Sequence, residues 1–298
     1  MASIKDLKKR IGTVKNTQQT TKAMKMVSAA KLRRAQEAIQ GQRPYARGVE
    51  ELIRTIAGLP QAQGFSKLII SDEEVTSKKL LLVVVTSDRG LCGGFNSNAI
   101  RIAHRWVAQN QSKYEKIDLS FVGKKAGDFF KNKSYTFGPV FSDFAGKVSI
   151  LKAKGLAKQL VALYESGEYQ EIKIAYNEFK NAVTQHPTVE DYLPIDRNQL
   201  LAKGTDSSGD NAVVLLKPNA GVLMSELLNK HVVVHAHRIM LESQAGEHGA
   251  RMSAMENATK NAGEMIKKLT LQYNKQRQAG ITKELLEIIS GSESQKNQ

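Results

Sequence analysis

The residues best suited to chemistry lie in the stretch Ser87–Asn96, SDRGLCGGFN, between an apolar run and a helix-like segment. A glycine-rich turn between a buried strand and a helix N-terminus often holds a phosphate, because free backbone N–H groups and the helix dipole point at it. The setting therefore fits a nucleotide site. The spacing does not fit, because the glycines at 90, 93 and 94 match neither the dinucleotide-binding nor the Walker A pattern, and no lysine follows to reach a phosphate.

A second possible site is the histidine cluster NKHVVVHAHR. His231 and His235 are four residues apart and would share one face of a helix, a spacing that can hold zinc. The glutamate of an HExxH motif is missing and no third ligand is evident, which favours ordinary surface or interface histidines and no metal. Cys92 has no spacing relation to a histidine either. We therefore expect no catalytic residues in this chain.

The charge of the chain predicts an acidic partner. Its 298 residues include 44 Lys and Arg against 29 Asp and Glu, a net charge of +15, while 41% are hydrophobic and 6% aromatic. This composition favours a compact domain joined to an extended part over one large globule. Nucleic acid, an anionic membrane surface or an acidic protein could each match the charge. The basic runs KKR and KLRR lack a recognised nucleic-acid-binding fold, which favours the acidic protein.

Cysteine and apolar content limit the setting. The single Cys92 excludes an intrachain disulfide and fits a reducing compartment. No apolar run reaches about 18 residues, so we expect no membrane span. The basic start MASIKDLKKRIG contains an aspartate and its helical pattern continues for dozens of residues, so we interpret it as mature structure and not as a transit peptide.

The N-terminal part of the sequence predicts a long helix. S-I-K-D from Ser3 resembles a capping box, and a three-four spacing typical of a coiled-coil seam follows. The seam positions are Ile4, Leu7, Ile11, Val14, Gln18, Thr21, Lys25, Ser28, Leu32, Ala35 and Ile39. Their polar middle is unusual for a permanently dry seam, so we expect several partners or a sliding contact. Pro44 predicts a kink, and Gly58 with Pro60 predicts the end of the helix.

A second long helix is predicted from about Asn219 to Gly291. It repeats the same spacing at Met252, Met255, Thr259, Ala262, Ile266, Leu269, Tyr273 and Gln276. A strict heptad implies a left-handed supercoil with a partner helix. Since no other segment is long enough, we expect the two terminal helices to pair antiparallel.

The middle of the chain alternates strand-like and helix-like segments. Strands are predicted at Leu80–Thr86, Ile117–Val122 and EIKIAYNEF, and helices at Asn98–Ala108, Lys124–Lys131 and Leu151–Tyr164. Polar segments 61–78 and 203–211 predict linkers or mobile loops. The predicted fold class is α/β: a long antiparallel coiled coil of the N- and C-terminal helices plus a central Rossmann-like α/β domain. The predicted domains are residues 1–58, 59–211 and 212–298.

The whole chain resembles the gamma subunit of F-type ATP synthase, bacterial type. IKDLKKRIGTVKNTQQTTKAMKMVSAAKLRRAQ and the later RPYA are similar to the family's opening helix. ARMSAMENATKNAGEMIKKLTLQYNKQRQAGITKELLEIISG resembles its closing helix, with the signature I-T-x-E-x-x-E-I-x-S-G at Ile281–Gly291. One departure is Ser292, where the family usually has alanine, and it puts in doubt only the fit of the tip.

This resemblance implies a rotor shaft with no catalytic residues of its own. In the family, the paired helices enter a ring of three alpha and three beta subunits, and the α/β domain sits with the epsilon subunit on the ring of c subunits. Proton flow turns the shaft, which drives each beta subunit through its nucleotide-binding states. The resemblance also implies one copy per complex, no nucleic acid, and a place at the cytoplasmic side of the bacterial inner membrane. The cysteine-bearing insertion of chloroplast gamma subunits is missing.

Particular residues follow from the resemblance. By position, Arg251 and Gln278 fall where the family's shaft contacts a loop of the beta subunit, and Met24, Lys25 and Lys31 fall near the acidic segment of that subunit. Gly90, Gly93 and Gly94 are then expected to form a structural turn that holds no nucleotide or other cofactor. Two alternatives stay open at this point: a nucleotide-dependent enzyme with helical extensions, and a coiled-coil protein that binds nucleic acid.

Overall fold

The computed structural model describes residues 3–57, 68–70, 79–141, 148–196, 217 and 219–296. The chain divides into two compact units, one formed by Met1–Ser28 with Met252–Gln298 and the other by Ala29–Arg251. The predicted linker 203–211, most of the linker 61–78 and the predicted helix stop at 58 and 60 lie outside the described residues. The three-part division into 1–58, 59–211 and 212–298 stays a prediction.

Helix α1 spans Ile4–Ala57 and continues through Pro44. The predicted capping box is present at its start, where the Asp6 N–H donates to Ser3 Oγ (3.4 Å) and the Ser3 N–H donates to the Asp6 carboxylate (3.3 Å). These bonds satisfy backbone donors that a helix start otherwise leaves unpaired.

The middle of the chain forms a five-stranded sheet. Its strands are β2 (Lys79–Val85), β3 (Lys116–Val122), β4 (Thr136–Phe137), β5 (Glu171–Phe179) and β6 (Gln185–Leu193), in the order β4-β3-β2-β5-β6. The first four strands in this order are parallel and β6 is antiparallel to β5. Strands β1 (Ile69–Ile70) and β7 (Ile195–Asp196) form a separate parallel pair. The three predicted strands are confirmed within one residue, whereas β6 was not predicted.

Helices connect the parallel strands and cover the sheet. They are α2 (Phe95–Asn110), α3 (Lys124–Phe130) and α4 (Ile150–Glu165), with a short 3₁₀ turn at Gln111–Lys113. Strand β2 is buried on both faces, because its alternate side chains point to different cores. Leu80, Leu82 and Val84 pack with α2 and α3, whereas Leu81, Val83 and Val85 pack with α4 and the end of α1. The Rossmann-like order predicted for this region is confirmed.

The last helix, α5, spans Ala220–Lys296 and changes partners along its length. Its first part contributes Met224, Leu228, Val232 and Ile239 to the core of the α/β domain. Further along, glycines let it approach the β5–β6 hairpin closely: a Cβ added to Gly249 would lie 2.9 Å from the carbonyl oxygen of Ala182. A side chain has no room at that position.

In the unit formed by the two chain ends, α1 and α5 run antiparallel. Gln18, Thr21 and Lys25 on α1 contact Thr259 and Glu256 on α5, so contact positions rise along one helix as they fall along the other. Burial confirms the predicted seam except at Ile4, which is 38% exposed at the start of α1. Buried or half-buried positions include Leu7, Ile11, Val14, Gln18 and Thr21 on α1 and Met252, Met255, Thr259, Ala262, Ile266, Leu269, Tyr273 and Gln276 on α5.

Replacing Gly249 by alanine tests the close approach of α5 to the hairpin. The new Cβ would press on the backbone of Ala182, which cannot swing aside, so we expect a loss of about 1–3 kcal/mol in the free energy of unfolding. Gly41→Ala on α1 is the matched control: a Cβ there meets no atom within 4 Å, so this change should stabilise the helix by up to about 1 kcal/mol. Denaturant midpoints that move equally for both variants would contradict this packing.

Candidate functional site

The loop Ser87–Asn96 satisfies its own polar groups. The Ser87 N–H donates to Asn96 Oδ1 (3.0 Å), and the Ser87 hydroxyl lies 2.6 Å from the Arg89 carbonyl oxygen. The Asn96 amide donates to the sulfur of Cys92 at 3.2 Å, and Cys92 is buried. The side chains that could have faced a nucleotide therefore hold the loop together.

The three glycines of this loop differ in what they contribute. Gly93 lies in the left-handed region with a φ of +56°, where glycine is favoured. Gly94 precedes the first residue of α2, and its carbonyl accepts the N–H of Asn98 (2.8 Å). A Cβ added to Gly90 would meet no atom within 4 Å. Leu91, with a φ of +62°, is the left-handed residue that the sequence did not reveal. A structural role for this turn stays a prediction.

Arg251 anchors this loop to α5. Its guanidinium donates to the Gly90 carbonyl oxygen (3.1 Å) and to the Glu247 carboxylate (2.6 Å), and it lies 3.4 Å from Nδ1 of His248. The Arg251 side chain is only 10% exposed. Burial, followed by the positive charges of Arg251 and Lys31, lowers the pKa of His248 to about 4. The pairing of Glu247 with Arg251 was readable from the sequence as an i,i+4 pair.

The histidine cluster belongs to a charged network. His235 Nε2 lies 3.2 Å from the Glu190 carboxylate, which also accepts from Arg238 (2.6 Å) and from the Tyr176 hydroxyl (2.6 Å). The rings of His231 and His235 are 6.1 Å apart. Among the described residues, no three His, Cys, Asp or Glu side chains come together in a way that could hold a metal ion. Only the i,i+4 pair Arg238–Glu242 was readable from the sequence, because the strand and helix residues of this network are more than forty positions apart.

Burial and charge act in opposite directions on the carboxylates of this network. Burial alone would raise the pKa of Glu190, but the hydrogen bond from His235 and the positive charge of Arg238 outweigh it and hold that pKa well below its ordinary value. Glu242 also pairs with Arg238 (3.3 Å), yet burial dominates and raises its pKa. The cavity beside the network, about 310 Å³ in volume, is lined by Glu190, His231, His235 and Arg238 among others.

The seam between the terminal helices is held by polar contacts. The hydroxyls of Thr21 and Thr259 are 2.8 Å apart, and the Lys25 ammonium donates to the Glu256 carboxylate at 3.0 Å. The Gln18 amide donates to the Thr259 carbonyl oxygen at 3.4 Å. The hydrogen bond from Lys25 lowers the pKa of Glu256. The middle of the seam is therefore polar, as the sequence predicted.

The structure spreads the five predicted partner-contact residues over different environments. Lys31 and Gln278 are exposed, Met24 and Lys25 are half-buried, and Arg251 is buried. Lys25 and Arg251 already have partners within the chain. Nothing in the isolated chain tests their contact with a beta subunit, which stays a prediction. The structure adds Met26 and Val27, whose side chains are 66% and 55% exposed.

Comparison with known proteins decides the family. A family model described as ATP synthase matches residues 3–294. The ATP synthase gamma chain of Trichlorobacter lovleyi is 45% identical over 294 residues, covering 99% of each chain, and that of Bdellovibrio bacteriovorus is 46% identical over 298 residues, covering 99% of this chain and 100% of the relative. The chain belongs to the ATP synthase gamma chain family.

Solved structures share this fold. A chain in the central stalk and c-ring of the Tetrahymena thermophila mitochondrial ATP synthase is 26% identical. The match has a TM-score of 0.58 and covers 80% of this chain and 99% of the Tetrahymena chain. A chain of the Euglena gracilis mitochondrial enzyme is 22% identical, with a TM-score of 0.64 over 98% and 94%. The resemblance and the fold class predicted from the sequence are both confirmed.

As a gamma chain, the protein is a non-catalytic subunit of ATP synthase and serves in the rotor of the central stalk. This places catalysis outside the chain and fits the internal bonding of the Ser87–Asn96 loop. In the part of the chain that the structure describes, no helix combines the length and the apolar character that crossing a membrane requires.

The buried His248 makes stability depend on pH. Its folded pKa of about 4 lies below the ordinary 6.5, so between these values the unfolded chain binds more protons and stability falls as the pH is lowered. Between pH 7 and pH 5, the native chain should lose up to about 2 kcal/mol more than His248→Gln does. Denaturant unfolding curves at the two pH values measure the free energy of unfolding. An equal loss of that free energy in the native chain and in His248→Gln would disprove the prediction.

Proposed function

We propose that this gamma chain forms the rotating shaft inside a head of three alpha and three beta subunits, with one copy in each complex. Its α/β domain sits with the epsilon subunit on the ring of c subunits. Proton flow turns the ring and the shaft, and the asymmetric shaft drives each beta subunit in turn through its nucleotide-binding states. The complex lies at the inner membrane of a bacterium, with the gamma chain on the cytoplasmic side, in keeping with its bacterial relatives.

The observation that carries this proposal is the uncovered apolar end of α5. Past Gly280, every side chain as far as Ser290 is exposed. Five of them are large and apolar and between 49% and 68% exposed: Ile281, Leu285, Leu286, Ile288 and Ile289. At helical spacing they cover a broad stripe, wider than a single partner helix needs. A stripe of this kind marks a surface that another protein covers, and a surrounding sleeve of subunits covers it from several sides.

Charge supports the same arrangement. The first 28 residues carry seven Lys and Arg against one Asp, and Lys31 follows directly. The acidic segment of a beta subunit is the matching partner. The proposed contacts are Met24, Lys25, Lys31, Arg251 and Gln278. Lys31 and Gln278 are exposed, whereas Arg251 is buried within the chain. Each exposed pair contributes at most about 1 kcal/mol, a magnitude that lets contacts break as the shaft turns.

Reconstitution tests the proposal. We expect the gamma chain, mixed with purified alpha and beta subunits of the same source, to give one asymmetric complex with a single gamma copy. That complex should hydrolyse ATP, whereas the gamma chain alone should neither hydrolyse nor bind it. Size-exclusion chromatography with light scattering, an ATPase assay and ATP-binding calorimetry measure these outcomes. A gamma chain that stayed free and bound ATP at the Ser87–Asn96 loop would sink the proposal.

Truncation after Gly280 separates the shaft tip from the α/β domain. Because the described side chains from Ile281 to Ser290 are all exposed, we expect the domain to keep its fold while the torque of the assembled complex falls. Circular dichroism reports the fold, and bead rotation against viscous drag reports the torque. A full-length control with Ile281, Leu285 and Ile288 changed to alanine keeps the helix and should lose part of the torque. Unfolding of the α/β domain in the truncated chain would refute the separation.

A further inference from the structure

Arg238 joins α5 to both strands of the β5–β6 hairpin. One guanidinium nitrogen donates to the Glu190 carboxylate on β6 at 2.6 Å, and the other donates to the Tyr176 hydroxyl on β5 at 3.2 Å and to Glu242 on its own helix at 3.3 Å. The Tyr176 hydroxyl in turn donates to Glu190 at 2.6 Å. One side chain therefore bridges three elements of the α/β domain.

The hairpin register brings these groups together. Tyr176 pairs with Thr188, so Glu190, two residues further along β6, stands on the same face of the sheet. Tyr192, two residues beyond Glu190, donates from its hydroxyl to the Val232 carbonyl oxygen at 3.0 Å. Strand β6 thus presents a row of directional hydrogen bonds to α5.

The contacts also fix the direction in which α5 lies. Position 192 meets position 232, Glu190 meets Arg238, and Ala182 meets Gly249, so the helix advances as the strand runs backwards. α5 follows the hairpin, from β6 into the turn at Ala182, over more than four helical turns at 3.6 residues a turn. Tyr176 is 1% exposed, and the side chains of Arg238 and Glu190 are about one third exposed.

Apolar contacts and charged hydrogen bonds resist a twist of α5 differently. Apolar packing is spread over many weak contacts, none of which needs a fixed angle between two groups. A charged hydrogen bond has a narrow range of distance and angle, and separating a partly buried pair leaves both charges without their partners. The Arg238 network is therefore a directional contact that opposes rotation of α5 against the hairpin, beside the Tyr192–Val232 hydrogen bond and the close packing at Gly249.

We propose that Arg238, Glu190 and Tyr176 form a joint that carries torque between the shaft helix and the α/β domain. This inference rests on the proposed function, in which the head holds the shaft end of α5 and the ring of c subunits holds the α/β domain. The three side chains are positioning residues, because they touch neither nucleotide nor substrate. Their role is to keep the rotational phase of the domain fixed relative to the shaft.

The test compares variants of the intact ATP synthase in lipid vesicles and measures protons pumped per ATP hydrolysed. Arg238→Met keeps the length of the side chain but removes its charge, and it should lower this ratio by about twofold or more while ATP hydrolysis continues. Arg238→Lys restores a charge beside Glu190 and should recover most of the ratio. Lys230→Met removes an exposed cation from the same helix and should leave the ratio unchanged.

The ratio separates this role from a merely structural one. Complex that fails to form reduces pumping and hydrolysis together, whereas heads detached from the membrane hydrolyse ATP without pumping. The ratio is therefore measured on vesicles washed free of detached heads and checked for their full set of subunits, so that it reports only on assembled complex. If Arg238→Met does not assemble, Tyr176→Phe removes a single hydroxyl and should still lower the ratio, though less. An unchanged ratio in an assembled Arg238→Met or Tyr176→Phe complex would overturn the joint. Native complex that hydrolyses ATP without pumping would instead contradict the proposed function.

Discussion

A helix as long as α5 needs partners along its whole length, and this requirement shapes the rest of the structure. A helix within a protein is stabilised mainly by tertiary packing of its apolar face, and much less by the helix propensity of its residues. Between Ala220 and Arg251 the partner is the α/β domain, and from Met252 to about Gly280 it is the start of α1. From Ile281 to Ser290 the side chains of α5 are exposed, with no cover from the part of the chain that the structure describes. Burial along α5 therefore distinguishes the segments that pack within this chain from the exposed end, which we propose other subunits cover.

The seam between α1 and α5 is specific without being strong. Thr21, Thr259, Lys25 and Glu256 occupy positions where leucine would give a drier and more stable coiled coil. Polar groups at such positions fix register, because any slip leaves them unpaired. Met26 and Val27 are meanwhile exposed on the other face. A thin, register-locked pair of helices with uncovered apolar side chains suits a shaft that must turn while touching several partners.

The elements with a regular hydrophobic pattern could be predicted from the sequence. Apart from Ile4, which is exposed, the heptad positions predicted on both helices are buried or half-buried, and β2, β3 and β5 lie where apolar, β-branched runs predicted them. Strand β6 was not predicted, because QHPTVEDYL contains a proline and its apolar and polar residues do not alternate regularly. The Arg238 network was not predicted, because only the tertiary fold brings α5 against β5 and β6. Arg251 was chosen as a partner contact only from its position in the family. That position could not predict its hydrogen bond to the Gly90 carbonyl oxygen.

Direct observation of rotation tests the central claim that this chain turns as the shaft of a rotary enzyme. The head of alpha and beta subunits is fixed to a surface, and a bead is attached through a cysteine introduced at exposed Lys133 of the α/β domain. We expect stepwise rotation in one direction that starts with ATP and stops when ATP is withdrawn. ATP hydrolysis by the same complexes with a stationary or randomly fluctuating bead would contradict it.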